Sequence, residues 1–334
     1  MVTGVEMRIL VFGTGAIGGL VGARMRHAGL DVRFHDRPPV LDALRRVGLR
    51  VAQPDGRSLH VEPARIQTGL EGLEGGDFVL LAVKAQQIAE AREDLGRALR
   101  DGATLVTLQN GLPWWYFQGT AGPHAGRALQ SLDPGGALAG AIDPRNVLGC
   151  VAYPAAEVLE PGRVRLVEGD RFPVGEAVGV DPARAGRIAS AFVAAGFKSP
   201  VLEDIRAEIW LKAWGNLAFN PVSALTGMTM AQICHFVPTR ELVTRMMLEA
   251  QEIAGRIGVT FRVPLQRRLE GAEKVGAHKT SMLQDLEAGR SLEIDAILGA
   301  VIEIGRLTGA ATPALESVYA LTRAIDPGAR RAGT

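Results

Sequence analysis

The chain has 334 residues, 47% of them hydrophobic and 22% charged, with a formal net charge of +1. Such a composition describes a soluble globular protein with a sizeable core and enough length for two domains. A charge so near zero offers no broad field to nucleic acid or an anionic membrane surface, and neither is expected as a partner.

Taken in chain order, RILVF at Arg8–Phe12 is a short continuous apolar run, the pattern of a buried parallel strand. A glycine-rich turn follows, then a helix through about residue 27, closed by Gly29. Residues 31–35 (DVRFH) read as a second strand and 40–47 as a helix. LRVAQPDGRSLHV reads as a hairpin turning at Pro54-Asp55-Gly56. Residues 78–83 (FVLLAV) and 104–108 (TLVTL) are two further buried strands, separated by the helical stretch QQIAEAREDLGRALR. From 147 to 176 the pattern changes to short extended pieces with Pro and Gly turns, expected as strands added at the end of the sheet. After about Pro200 strands give way to helical periodicity, broken at GMTM, at 235–238 and at GVTFRVP. The final RRAGT reads as a frayed tail. Strands alternating with helices predict an α/β doubly wound parallel sheet, followed by an all-α C-terminal domain. The boundary is expected near residue 200, giving domains of 1–200 and 201–334.

Other classes leave little trace. MVTGVE is a short polar lead without the pattern of a signal peptide. No run of 18 or more apolar residues suggests a membrane span. Cys150 and Cys234 lie far apart in no metal-type spacing and read as buried, reduced thiols of a cytoplasmic protein. The histidines form no ligand pair, so no metal is expected.

The turn after the first strand is Gly13-Thr14-Gly15-Ala16-Ile17-Gly18, a G-x-G-x-x-G. Alone that pattern is weak, but between a predicted strand and a predicted helix it reads as the fingerprint of a dinucleotide site in a Rossmann-type sheet; a glycine turn serving only packing is the alternative. Gly13 permits the tight turn, Gly15 lets backbone N–H groups approach a pyrophosphate, and Gly18 allows close helix–strand packing. At the end of the second strand the signals conflict. Asp36 stands where a carboxylate accepts from a ribose 2′-OH, favouring NAD; Arg37 could clamp a 2′-phosphate, favouring NADP. Lys84 and Gln87 follow the apolar strand at 78–83, at the carboxyl edge where ligands of such sheets lie. Lys84 suits a phosphate or a substrate, or else a solvated helix start. Asn110-Gly111 ends the next strand, and Asn110 there can orient a nicotinamide or a substrate oxygen. Trp114, Trp115, Tyr116 and Phe117 crowd behind it, either to wall a pocket or to pin the loop to the core.

Lys212 lies in the apolar stretch IRAEIWLKAWGNLAFNPVSALTG. Asn216 and Asn220 follow at i+4 and i+8, on one helical face. An amine and two carboxamides on a greasy helix describe the wall of a polar pocket; a Lys snorkelling to the surface beside two capping amides is the alternative. Downstream, Ser281, Gln284, Asp285 and Glu293 recur among apolar residues of TSMLQDLEAGRSLEID. That segment reads either as a pocket lining or as an amphipathic helix broken at Gly289 and restarting from a cap at Ser291.

Together, GTGAIGG, VKA, QNG, PGRVRLVEG, K-x3-N-x3-N-P-x-S-A-L-T and SMLQDLEAG-x3-EID resemble the ketopantoate reductases along nearly the whole chain. The last two blocks are far more specific than the glycine fingerprint. The resemblance implies a Rossmann domain, a helical domain and an active site in the cleft between them, where NADPH reduces ketopantoate to pantoate on the route to pantothenate. It implies Lys212 as the catalytic general acid and Glu293 as the residue holding the substrate hydroxyl. Asn110, Asn216, Asn220 and Ser281 would orient the substrate, Lys84 would stand near cofactor and substrate, and Arg37 would hold the 2′-phosphate. The bulky LPWWYF and the long Gly/Ala-rich segment 119–146 depart from the family pattern and suit a bulkier 2-keto acid. A non-catalytic dinucleotide-binding sensor is the rival of another class. A homodimer is compatible with the helical domain, though no feature demands one.

Overall fold

The computed structural model describes residues 7–179 and 181–332; the lead MVTGVE and Gly333–Thr334 lie outside them. The chain forms two compact units. One comprises the residues up to 109 with 114–128 and 136–206; the other comprises 110–113, 129–135 and 207 onward.

The first unit holds the strands β1 (Arg8–Phe12), β2 (Asp31–His35), β3 (Leu49–Ala52), β4 (Ser58–Val61), β5 (Gln67–Thr68), β6 (Phe78–Leu81), β7 (Thr104–Thr107), β8 (Val147–Cys150), β9 (Ala155–Glu160), β10 (Arg163–Glu168) and β11 (Val174–Glu176). Seven form one sheet in the order β11-β8-β7-β6-β1-β2-β5. Every neighbouring pair is parallel except β8 with β11. β6, β7 and β8 are buried at every position, which is why β6 and β7 lie in continuous apolar runs rather than alternating ones. Helices α1 (Ala16–His27), α2 (Pro38–Val47), α3 (Arg92–Ala98), α4 (Ala137–Ala141) and α5 (Pro182–Ala194) complete this unit. The chain leaves β1 toward β2 on one side and returns to β6 on the other. The carboxyl ends of β1 and β6 therefore form the topological switch point at which such sheets bind ligands.

Several expectations are corrected. The stretch QQIAEAREDLGRALR is not one helix: a short turn at Ala85–Gln87 precedes α3, whose buried side is only Leu95 and Ala98. So small an apolar stripe does not hold a longer helix in place. The extended pieces of 147–176 do not all join the main sheet. β9 and β10 instead build a second sheet with the predicted hairpin, in the order β4-β3-β10-β9. Alternating burial along β10 marks it as a strand with one solvated face. Residues 330–332 of the RRAGT tail belong to a helix. α5 and the edge strand β5 went unforeseen. Trp114, Trp115, Tyr116 and Phe117 are all buried. Trp115 Nε1 donates to Thr107 Oγ1 at 3.2 Å, and the Arg206 guanidinium lies 5.3 Å from the Trp115 ring. Arg206 also donates to the carbonyls of Tyr116, Gln118 and Ala177. The aromatic loop is thus pinned to the core of its own unit, which removes the reason to read it as the mark of a large substrate.

The second unit is helical. α6 (Ile205–Thr226) enters it at Ala207 and is followed by α7 (Met230–His235), α8 (Val237–Arg256), α9 (Leu265–Lys274), α10 (Ser281–Glu287), α11 (Ala300–Thr308), α12 (Pro313–Ile325) and α13 (Pro327–Ala332). Trp214 of α6 stacks on Phe261 at 4.1 Å and donates from Nε1 to the Met247 carbonyl of α8 at 2.7 Å. Val243, Met246, Met247, Ala250 and Ile253 form the buried stripe of α8. Glu249 caps α12 by accepting from the N–H groups of Ala314 and Leu315 at 2.9 and 3.0 Å. Glu303 accepts from the N–H groups of Gln130 and Ser131 and from the Ser131 hydroxyl, which secures segment 129–135 to this unit. No helix among the described residues is long and apolar enough to cross a membrane.

Candidate active site

In the first unit the glycine loop joins β1 to α1. Gly13 has φ +97°, and a Cβ there would meet Val83 Cγ1 at 2.7 Å. A Cβ on Gly18 would strike the Gly13 carbonyl at 1.9 Å, so neither position accepts a side chain. A Cβ on Gly15 would meet nothing within 4 Å. It faces open space beside the first turn of α1, where Ala16, Ile17 and Gly18 have no carbonyl one turn back to bond. That combination of clearance and free N–H donors fits a pyrophosphate.

Asp36 Oδ2 accepts from Thr14 N at 2.6 Å and from Thr14 Oγ1 at 2.7 Å, while Oδ1 accepts from Arg37 N at 2.8 Å. The carboxylate is turned into the glycine loop and stapled there. Arg37, the residue preceding α2, is exposed. Lys84 leads into the turn at Ala85–Gln87, where Gln87 Oε1 accepts from the Lys84 N–H at 3.0 Å. Gln109 was not singled out from the sequence. Its Nε2 donates to the carbonyls of Leu81 and Val83 at 2.7 and 3.1 Å, and its buried Oε1 has no protein partner. It thereby ties the end of β6 to the turn after β7 at the carboxyl edge of the sheet.

The second unit assembles the other group of residues. Lys212 is half-buried on α6 and donates from Nζ to Asn110 Oδ1 at 2.7 Å. Asn110 Nδ2 faces Glu293 Oε2 at 3.4 Å, and Glu293 is only 7% exposed. The amide orientation follows from charge: reversed, it would set its NH₂ against an ammonium and its oxygen against a carboxylate. Lys212, Asn110 and Glu293 form a line from a cation through a neutral amide to an anion. The snorkelling alternative for Lys212 is not what the side chain does. Asn216 is half-buried and Asn220 is 6% exposed, one and two turns further along α6. Pro221 has no N–H, so one α6 carbonyl beside this face lacks its helical donor.

Ser281 is the exposed first residue of α10, and Thr280 is its cap, accepting from Leu283 N at 3.3 Å. Asp285 instead pairs with Arg290 at 2.9 Å. The helix restart expected at Ser291 is displaced. The Leu292 N–H donates to Asp326 Oδ1 at 3.1 Å, and helix begins at Ile294 with a π-turn over Asp295–Gly299. Glu293 therefore sits immediately before the helix, and its carbonyl accepts from Ile297 N. Among the described residues no group of His, Cys, Asp or Glu is arranged to hold a metal ion.

An ammonium beside an amide oxygen can donate a proton and offset negative charge on a reacting oxygen, while a carboxylate nearby accepts from a hydroxyl. Residues 9–179 match the family described as "Ketopantoate reductase PanE/ApbA", and residues 204–326 match its "C terminal" part. The chain belongs to the ketopantoate reductase family. It is 47% identical over 320 residues to a 2-dehydropantoate 2-reductase of Mesorhizobium japonicum, covering 96% of this chain and 98% of that protein. Among solved structures it resembles a putative ketopantoate reductase of Ralstonia solanacearum MolK2, with TM-score 0.90 and 36% identity, covering 98% of this chain and 99% of that one. A D-mandelate dehydrogenase solved with NADH and anilino(oxo)acetate, TM-score 0.81 over 97% of this chain and 100% of that one, is 20% identical and shows the fold alone. Family membership accounts for both the doubly wound sheet and the helical unit.

Proposed function

We propose that this family member is an NADPH-dependent 2-dehydropantoate 2-reductase of the cytoplasm, reducing the ketone of ketopantoate to the alcohol of pantoate in pantothenate biosynthesis. The observation that carries the reading is the hydrogen-bonded line of Lys212, Asn110 and Glu293. When bound, NADPH supplies the hydride. As the ketone oxygen gains negative charge, the Lys212 ammonium stabilises it and delivers a proton from Nζ. Asn110, already against Nζ, fixes the direction of that donor. Glu293 accepts from the substrate's distal hydroxyl, Ser281 binds its carboxylate, and Asn216 and Asn220 complete the polar wall.

On the cofactor side, the open cradle at Gly15 and the first turn of α1 take the pyrophosphate. With Asp36 held by Thr14, Arg37 is the residue left to meet the 2′-phosphate, which favours NADP over NAD. In the same reading Lys84, Gln87 and Asn110 also serve the cofactor. Cys150 and Cys234, both buried and neither in a disulfide, suit a reducing compartment. Steady-state oxidation of NADPH and NADH against a panel of 2-keto acids tests the proposal. Preferred turnover of ketopantoate with NADPH is expected. Turnover of a bulkier acid with ketopantoate inert, or binding without turnover of any 2-keto acid, would overturn it.

A further inference from the structure

Asn110 owes its position to an irregularity in a helix far away in sequence. In a regular α-helix the Ala300 N–H would bond to the carbonyl four residues back, that of Ala296. Across the π-turn Asp295–Gly299 it bonds to the Asp295 carbonyl, five back. The Ala296 carbonyl instead accepts from the N–H of Leu112 at 2.9 Å. Between Asn110 and Leu112, Gly111 adopts φ +78°, and a Cβ there would stand 2.1 Å from the same Ala296 oxygen. Only glycine lets the chain lie so close. The turn itself is braced from outside. Asp295 Oδ1 accepts from the Tyr319 hydroxyl at 2.6 Å, and Oδ2 accepts from Arg323 at 3.0 Å. Burial, with help from Asp295, pushes the Tyr319 phenol up to about 12, so it remains a donor throughout the physiological range.

We infer that the π-turn carbonyl of Ala296, the Leu112 N–H and Gly111 form a latch that sets the Asn110 carboxamide against Lys212. The inference rests on the reductase reading of Lys212, and it makes Gly111 and Ala296 positioning residues rather than catalytic ones. One helix thus supplies Glu293 at its start and, three residues later, the carbonyl that places the amide between Glu293 and Lys212. A π-turn is the device that can do this, because it releases a carbonyl without ending the helix.

A double-mutant cycle separates this latch from ordinary structural support. Asn110→Ala is expected to lower kcat about 100-fold, the scale of a misplaced reacting group, with a smaller change in KM for the keto acid. Gly111→Ala should match that loss, and the double variant should be no worse than about the larger single loss. Losses that multiply toward about 10⁴-fold, or an unchanged kcat in Gly111→Ala, would overturn the inference. Should Gly111→Ala fail to fold, replacing the Leu112 amide by an ester, with the leucine 2-hydroxy analogue, removes the N–H alone and runs the same cycle. Hydrogen exchange at the Leu112 amide reads the latch without substrate. Slow exchange in the wild-type chain, lost on disrupting the π-turn by deletion of one residue within 295–299, is expected. Fast exchange in the wild type would refute the latch whatever the enzyme turns over, whereas slow exchange without turnover of any 2-keto acid would refute only the reductase reading.

Discussion

The Asp36 carboxylate holds Thr14 at two points, accepting from its backbone N–H at 2.6 Å and its hydroxyl at 2.7 Å. Asp36 directly follows β2, and Thr14 lies in the glycine loop after β1, so the pair joins adjacent strand ends where a dinucleotide would bind. A carboxylate whose oxygens already serve protein donors is a loop brace first. Asp36→Ala is expected to raise the dissociation constants of NADPH and NADH together, by about tenfold each, the cost of one lost hydrogen-bond brace. A selective gain of NADPH binding, measured by fluorescence titration, would show instead that Asp36 acts as a charge against the 2′-phosphate.

Arg37 carries the opposite expectation. Removing its guanidinium should weaken NADPH but not NADH, because only NADPH presents a phosphate at the ribose 2′ position. A charge-assisted contact contributes about 1.5–3 kcal/mol, so Arg37→Ala should lower the NADPH/NADH ratio of kcat/KM by about 10- to 100-fold. A wild-type ratio below one would reject the cofactor assignment outright.

If Lys212 is the proposed general acid, Lys212→Ala should lower kcat by several orders of magnitude while leaving cofactor affinity nearly unchanged; its hydrogen-bond partner Asn110 lies in the same helical unit. Parallel loss of NADPH binding would contradict that role. Removing the amine also leaves the Asn110 oxygen without this donor, so Lys212→Gln serves as the companion variant that retains an N–H.

Burial raises the Cys234 thiol above its ordinary value of 9.0, with the Glu273 carboxylate acting in the same direction. Two consequences follow for measurement. Alkylation of Cys234 at pH 8 should be slow in the native chain and fast in denaturant. The neutral thiol is favoured in the folded state, so this contribution to stability is intact below about pH 9 and is lost as pH rises through the higher folded value. Rapid native labelling of Cys234, identified by peptide mapping, would place the thiol at the surface.

Tyr319→Phe removes one of the two donors to Asp295 while keeping the ring. A loss of about 1–2 kcal/mol in denaturant unfolding is expected from a partly buried carboxylate left with a single partner. An unchanged midpoint would mean that Arg323 alone suffices to hold Asp295.

What was readable from the sequence alone was whatever local pattern encodes. Continuous apolar runs specified β1, β6 and β7; the glycines between strand and helix marked the dinucleotide loop; and 3.6-residue periodicity after about Pro200 announced the helical unit. Lys212, Asn216 and Asn220 could be set on one face because helical spacing is itself local. The tertiary structure alone decided who their partners are. Asn110 lies 102 residues before Lys212 and 183 before Glu293, and no spacing rule reaches across such distances. The same holds for Asp36, whose charge is visible in sequence but whose direction depends on Thr14, 22 residues away. The π-turn is the least legible element, since LEIDAILGAV fits a plain helix. The Ala296 carbonyl it releases accepts from the N–H of Leu112, and only folding brings that donor within 2.9 Å.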